Sequence, residues 1–548
     1  MGATTVWSRD QVAARILNGE TLIVYDGHLL LIPQKWLDAH PGGSLALLHF
    51  VGRDATDEIQ ANHQDDTMKL IPRYSIGRVE LTDGMWKPFL PPIAAGWVRR
   101  RGSGGKMEWY KEAVEVFAKE ETEFTPSSSV LLVENTATHL QASGPTLSNI
   151  QPPPSPLSLK QQAGQSKAYR ELHKRIIDAG LYKTRYITGY GPEIVRYTLL
   201  ASLSAYAYSH QWFITSAVFL GLFWHQLVFS AHDLGHMGVT HNWALDRIIA
   251  TIIADFIGGL SIGWWVQNHN VHHLVTNHPS HDPDIEHIPF FAISPAFLDS
   301  LWSSYYKRTM KLDVFAKIFL QIQHKLFYIV MAFARFNLYA NSYTYLYQKY
   351  FDTKRARGGN WAWRLEMAGI LFFWTWFGRV LYGCGSWQTA LVYLLVSHAV
   401  TSPLHVQIVL SHFSMPTGDL GPVESFPHRQ MRTTTDVICA ESIEFIHGGL
   451  HLQVTHHLFP RLPRHNLRRA SELVKQFAKE EGLTYAEFGF VDGNHEVIGT
   501  LKHVAEQVKI MGQVAKVEAK EAVEKKMAAT DAMLGIAHKN GSGTHSAH

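Results

Sequence analysis

The sequence has 548 residues, a formal net charge of +3 and a pI near 8.6, so bulk charge gives no case for binding nucleic acid. Two cysteines, Cys384 and Cys439, are too few for a disulfide framework or a thiolate metal cage, which points to a reducing compartment. A 12% aromatic content with a mean hydropathy of −0.08 fits long apolar segments diluted by soluble ones, with room for roughly two to four domains.

No charged stretch followed by an apolar core opens the sequence, so no cleavable signal is expected and the N-terminus is expected in the cytosol. Residues 1–82 read as a compact α+β unit. Leu22–Tyr25 and Leu29–Ile32 are short strands parted by the turn signal Asp26-Gly27-His28. His40-Pro41-Gly42-Gly43 fixes a tight turn of little bulk, which lets a flat cofactor approach the imidazole. Asp54 or Thr56 caps a helix that ends near His63. Two histidines beside apolar residues and helix ends suit axial ligation of a haem iron, and six-coordinate iron of that kind carries electrons. This stretch resembles cytochrome b5 through His40-Pro41-Gly42-Gly43, Asp54-Ala55-Thr56, His63 and the closing Ile76-Gly77. Asn62-His63-Gln64 stands where that family often has Gly-His-Ser. The resemblance implies haem b, with His40 and His63 as its ligands.

Residues 83–165 change character. Pro91-Pro92, Thr125–Ser129 and Pro152–Pro156 are linker signals, so a largely disordered tether is expected, with a short helix at about 107–122. A tether would keep an electron carrier near its acceptor while letting it turn toward a reductase.

Residues 166–500 read as an all-α membrane domain. Residues 193–230 form two short spans joined near Ser209-His210-Gln211, and 365–383 with 388–410 a second pair joined by Cys384-Gly385-Ser386-Trp387. Three histidine clusters lie around them: His232 and His236, then His269, His272 and His273, then Gln453, His456 and His457. On helices these spacings put two or three side chains on one face. One shared site requires an even number of spans between clusters, so 247–266 is expected not to cross and 316–340 is expected to be an amphipathic interface helix. Arg99–Arg101 and Lys354, Arg355 and Arg357 then fall on the cluster side, which the positive-inside rule makes cytosolic, like both termini. Residues 501–536 alternate Lys, Glu, Ala and Val as a polar helical tail, and the end from Asn540 looks disordered.

With 32 histidines in the chain, one isolated cluster says little; three beside apolar stretches say more. Seven imidazoles exceed one ion's needs and suit a pair of zinc, copper, iron or nickel ions. A one-electron haem donor in the same chain serves a redox metal, which favours iron over zinc. Iron activates O₂ for removal of hydrogen from an unactivated methylene, and the apolar surroundings suit a long alkyl chain.

Residues 190–480 resemble the membrane fatty-acyl desaturases, whose boxes read His-x-x-x-His, His-x-x-His-His and His/Gln-x-x-His-His. The b5 domain and the Gln453-led third box mark the front-end branch, which includes sphingolipid Δ8 desaturases; the Ser/Pro-rich insertion resembles the fungal ones. The resemblance implies two iron ions held by His232, His236, His269, His272, His273, His456 and His457, with His412 after the last span completing the set. Gln453 would bind metal, hold a ligand water or orient an imidazole, and Asp233 would orient one. It implies O₂ and NADH-cytochrome b5 reductase as co-reactant and electron source, a ceramide or acyl lipid as substrate, and the endoplasmic reticulum as location. Rival readings are a Δ6 or Δ5 fatty-acyl desaturase, a b5-fused lipid hydroxylase, and a haem carrier with a structural zinc site. His278, His281 and His287 lie in a Pro-broken loop, and His241, His398, His405, His447 and His451 read as packing or supporting histidines.

Overall fold

The computed structural model describes residues 5–102, 105–112, 144–352 and 359–533. In the N-terminal domain β1 (Val6–Trp7), β2 (Thr21–Tyr25), β3 (His28–Ile32) and β4 (Ser75–Val79) form one sheet in the order β1-β4-β3-β2. The β2–β3 hairpin pairs Tyr25 with His28 across Asp26 and Gly27, both at positive φ, the geometry of a two-residue hairpin turn. The helix Thr56–Asn62 has Ala55, not Asp54 or Thr56, at its N-cap; Asp54 accepts from the Thr56 N–H at 3.0 Å in the turn before it, and His63 is the C-cap.

Residues expected to be a tether are folded wherever they are described. Trp86, Phe89 and Ile150 are buried in the N-terminal core against Val12 and Leu22. Where a helix at 107–122 was expected, β6 (Met107–Lys111) pairs antiparallel with β5 (Trp97–Arg101), while residues 113–143 lie outside the described ones. Arg99, expected as a topology signal, instead donates to the Met107 carbonyl at 2.9 Å within this hairpin.

The second domain is mostly helical. Its main elements are α1 (Leu159–Asp178), α2 (Gly191–Ser209), α3 (Phe213–Gly235), α4 (Ile262–Leu274), α5 (Gly359–Tyr382), α6 (Trp387–Ala399), α7 (Ser402–Phe413), α8 (Phe426–Thr433), α9 (Gln453–Leu458), α10 (Leu467–Glu480) and α11 (Phe490–Met533). Among the described residues two segments are long and apolar enough to cross a membrane, Phe213–Gly235 and Trp387–Phe413. Two further pairs reach that standard only as broken spans: Trp243–Ile257 with α4, bent by 114°, and Val314–Leu320 with Gln323–Ala332, bent by 95°. The single interface helix expected over 316–340 is therefore broken, and Arg335 beyond the bend is buried, donating to the Gly258 carbonyl at 2.7 Å. The polar tail also begins later than residue 501. Val497, Leu501, Val504 and Val508 form one buried stripe of α11 against Phe291 and Phe413, each contributing about 1.5–3 kcal/mol.

Candidate metal centre and adjoining haem pocket

The three clusters reach one buried centre from different elements. α3 ends in His232 and His236, whose rings lie 4.8 Å apart on one face. α4, started by Ser261 accepting from the Trp264 N–H, carries His269, His272 and His273, and the short α9 carries Gln453, His456 and His457. His412 comes from the last turn of α7.

Two sets of imidazoles form, each with ligand nitrogens within 4.8 Å of one another: His232, His236, His269 and His456 in one, His272, His412 and His457 in the other. His273 stands between them, its Nε2 3.1 Å from that of His269 and 3.2 Å from that of His456, its ring stacked on His457 at 4.1 Å. Nitrogens sharing one ion at about 2.1 Å are about 3.0–3.5 Å apart, so these spacings fit metal ligation. Gln453 Nε2 lies 3.4 Å from His412 Nε2 and 3.5 Å from His457 Nε2. The Nε2 atoms of His232 and His236 and the Oε1 of Gln453 are buried without a partner, a cost that a bound cation would remove.

Groups on the far side of four of the rings, His232, His269, His272 and His457, face Nδ1 and leave Nε2 turned inward. His272 Nδ1 donates to fully buried Asp282 at 2.9 Å, and His457 Nδ1 to Gln430 Oε1 at 2.9 Å. His232 Nδ1 is 3.4 Å from Asp233, which in turn accepts from Tyr190 at 2.8 Å and pairs with Arg464 at 3.0 Å. His269 Nδ1 lies 3.7 Å from Asp284. Burial works against charge on His272, but Asp282 and Asp284 outweigh it and raise the ring to about 8. Sequence reasoning singled out Asp233 and overlooked Asp282, Asp284, Gln430, Tyr190 and Arg464. The Asp-Pro-Asp turn was visible, yet nothing in it announced contact with His272.

His278, His281 and His287 are outside both sets; His278 pairs with Asp419 at 3.3 Å. His241 Nε2 donates to the Tyr182 carbonyl at 2.8 Å, and His398 Nε2 bonds Tyr339 at 3.1 Å. A further group, Cys439, Glu444 and His451, has its carboxylate ion-paired with Arg468.

In the N-terminal domain the His40 and His63 rings face each other with centroids 6.1 Å apart. Two imidazoles on opposite sides of one iron, each bonded at about 2 Å, stand about 6 Å apart, so the pair fits a haem. His40 Nδ1 donates to the Gly43 carbonyl at 3.1 Å and His63 Nδ1 to the Ile59 carbonyl at 2.9 Å, leaving both Nε2 atoms for the iron. Burial, and then His63, lower His40 to about 4, which keeps the ring neutral. The cavity between them, about 550 Å³, is lined also by His236, Gln267, Asn270 and Arg461 of the second domain.

A histidine-rich centre on membrane-type helices, with a haem-type pocket against it, is the arrangement of a membrane lipid desaturase fused to a cytochrome b5-like domain. The fatty acid desaturase family matches residues 209–489, and a cytochrome b5-like heme/steroid binding domain matches residues 8–80; the chain belongs to this b5-fused family of desaturases and is an oxidoreductase. It is 43% identical to the Delta 8-(E)-sphingolipid desaturase of Emericella nidulans, over 94% of this chain and 97% of the relative. It is likewise 43% identical to the protein of that name from Komagataella phaffii, over 92% and 94%. The Delta(8)-fatty-acid desaturase 2 of Arabidopsis thaliana is 37% identical over 63% of this chain and 76% of the relative.

Proposed function

We propose that the chain introduces a Δ8 double bond of E geometry into the sphingoid long-chain base of ceramide-type lipids, at a di-iron centre reduced through haem b of its own first domain. The site half of this reading rests on one observation, two buried imidazole sets that meet around His273, with His236 of the first set also lining the haem cavity; the names of the fungal relatives support the substrate half. His232, His236, His269, His273 and His456 would hold one iron, and His272, His412 and His457, with Gln453 beside them, the other. When bound and reduced, such iron supplies the O₂ activation needed to take hydrogen from unactivated methylenes. The chain's residues set the conditions for that chemistry. Asp282 and Gln430 fix His272 and His457 in the tautomer that presents Nε2, and the closed packing around α4 and α9 excludes bulk water.

The reaction balances as one CH₂–CH₂ unit, one O₂, two electrons and two protons giving one CH=CH unit and two waters. Electrons would come from NADH through cytochrome b5 reductase and arrive singly at the haem. The two long apolar segments, Phe213–Gly235 and Trp387–Phe413, each paired with the less apolar helix before it (residues 191–209 and 359–382), would make four spans that set the histidine centre and both termini on the cytosolic side of the endoplasmic reticulum. The turns near 210 and 385, which lack Lys and Arg, support this orientation.

The name of the Arabidopsis relative favours a second reading, an acyl chain as substrate. Lipid mass spectrometry of a host without Δ8 unsaturation decides between them. Expression of this chain is expected to give Δ8-unsaturated long-chain bases and leave fatty acids unchanged. Unsaturation confined to fatty acids would establish the acyl reading, and an oxygenated product would establish a hydroxylase.

A further inference from the structure

The two domains share buried surface at several places. Ala61, on the helix leading to His63, is fully buried in the large domain's core with Tyr169 and Phe459. Leu45 and Ile93 pack with Val271 and Val275 at the end of α4. The His40 turn rests on the same helix: a Cβ placed on Gly42 would lie 3.3 Å from the Asn270 amide nitrogen, and one on Gly43 3.2 Å from Gln267 Cγ. Arg461, four residues beyond His457, donates to the His63 carbonyl. Arg170 reaches buried Asp57 at 3.5 Å, and His49 Nε2 lies 3.3 Å from Ser304 Oγ.

Linked domains move relative to one another unless the face between them is large and apolar. Here that face has an apolar centre, and separation would expose it and strip Asp57, His49 and the His63 carbonyl of their partners. The haem cavity is nevertheless open on another rim, where Trp36 and Leu70 line it and are 36% and 44% exposed.

We propose that the haem domain works docked. It accepts electrons through the Trp36–Leu70 rim and passes them on across the covered rim without swinging away, and Gln267, Asn270 and Arg461 are positioning residues that hold both haem-ligand histidines against the iron-binding helices. This rests on the haem and di-iron reading above. The balance is simple: a reduced flavoprotein reductase gives one electron to ferric haem, the ferrous haem gives it to the catalytic site, and two such cycles serve each alkene formed.

Spin labels on Ala14→Cys and Lys502→Cys, both exposed positions, report the separation of the domains when Cys384 and Cys439 are replaced by serine. Pulsed electron paramagnetic resonance on the full-length holoprotein, oxidised, reduced and frozen during turnover with NADH and reductase, is expected to give one unchanged distance population. A second, longer population in any state would overturn the docked mechanism. Haem absorbance in the same samples separates the two levels: absence of a bis-histidine spectrum would overturn the reading of the site itself, whereas two distances in a haem-loaded chain overturn only the docking. The double variant Gln267→Ala/Arg461→Ala is expected to slow reoxidation of each bound haem by O₂ and lipid roughly ten-fold, with iron content and reduction of the bound haem by the reductase unchanged. Unaltered reoxidation would remove the positioning role.

Discussion

The haem pocket and the histidine centre both turn Nε2 atoms inward by anchoring Nδ1, but the short anchors are backbone carbonyls in the first and side chains in the second, where only His412 faces a carbonyl, that of Thr433 at 3.4 Å. His40 and His63 donate to backbone carbonyls three and four residues away, neutral acceptors that the local fold supplies. His272 and His457 donate to Asp282 and Gln430, side chains 10 and 27 residues away, and Asp233 and Asp284 stand behind His232 and His269. A carboxylate behind an imidazole raises its basicity and favours higher charge on the ion it holds, which suits a site that meets O₂. A carbonyl does less of this, which would suit the electron-carrying role proposed for the first domain.

Removing one ligand from each site has the largest expected effect. His272→Ala is expected to lower product formation by roughly a thousand-fold or more, with catalytic iron lost and the haem spectrum intact. His40→Ala is expected to do the reverse, losing the bis-histidine spectrum while keeping the non-haem iron, with turnover lost and not restored by added soluble cytochrome b5, which the docked domain keeps from the centre. Metal analysis and absorbance on the same samples check both. Removing an anchor comes next. Asp282→Asn is expected to weaken iron binding by roughly 10- to 100-fold, measured by chelator competition, and the haem pocket offers no matching side chain to delete. Gln430→Leu, which takes the acceptor from His457, is expected to cost about 1.4 kcal/mol, seen as about ten-fold faster iron loss to chelator.

The smallest effect concerns support further out. Burial pushes the Glu424 carboxyl up, yet His428, Arg429 and Arg432 on α8 outweigh it and hold the group at about 2. α8 also carries Gln430. Because the folded value is below the ordinary 4.5, this carboxylate adds stability above about pH 4.5 and loses it as the pH falls toward about 2. Glu424→Gln is expected to lower stability near neutral pH by at most about 3 kcal/mol, with the gap from the parent closing on acidification in thermal unfolding followed by circular dichroism.

Features whose cause is local were legible in the sequence. The Asp26-Gly27 turn, the Gly42-Gly43 approach to His40 and the i, i+3, i+4 spacing of the boxes all act within a few residues. The anchors were not legible, because Asp282 and Gln430 acquire their role only when the segments that carry them fold beside α4 and α9. The insertion misled for a related reason. Its proline and serine content reads as open chain, while Trp86, Phe89 and Ile150 suffice to pin its described ends into a core. In α11 the Lys and Glu background hid an i, i+4, i+7, i+11 stripe at Val497, Leu501, Val504 and Val508.

Metal content of the purified, haem-loaded protein decides whether the histidine centre holds a pair of irons. Two non-haem irons per chain beside one haem iron, with no zinc, is the result this account predicts. Zinc in their place, or a single non-haem iron per chain, would contradict it.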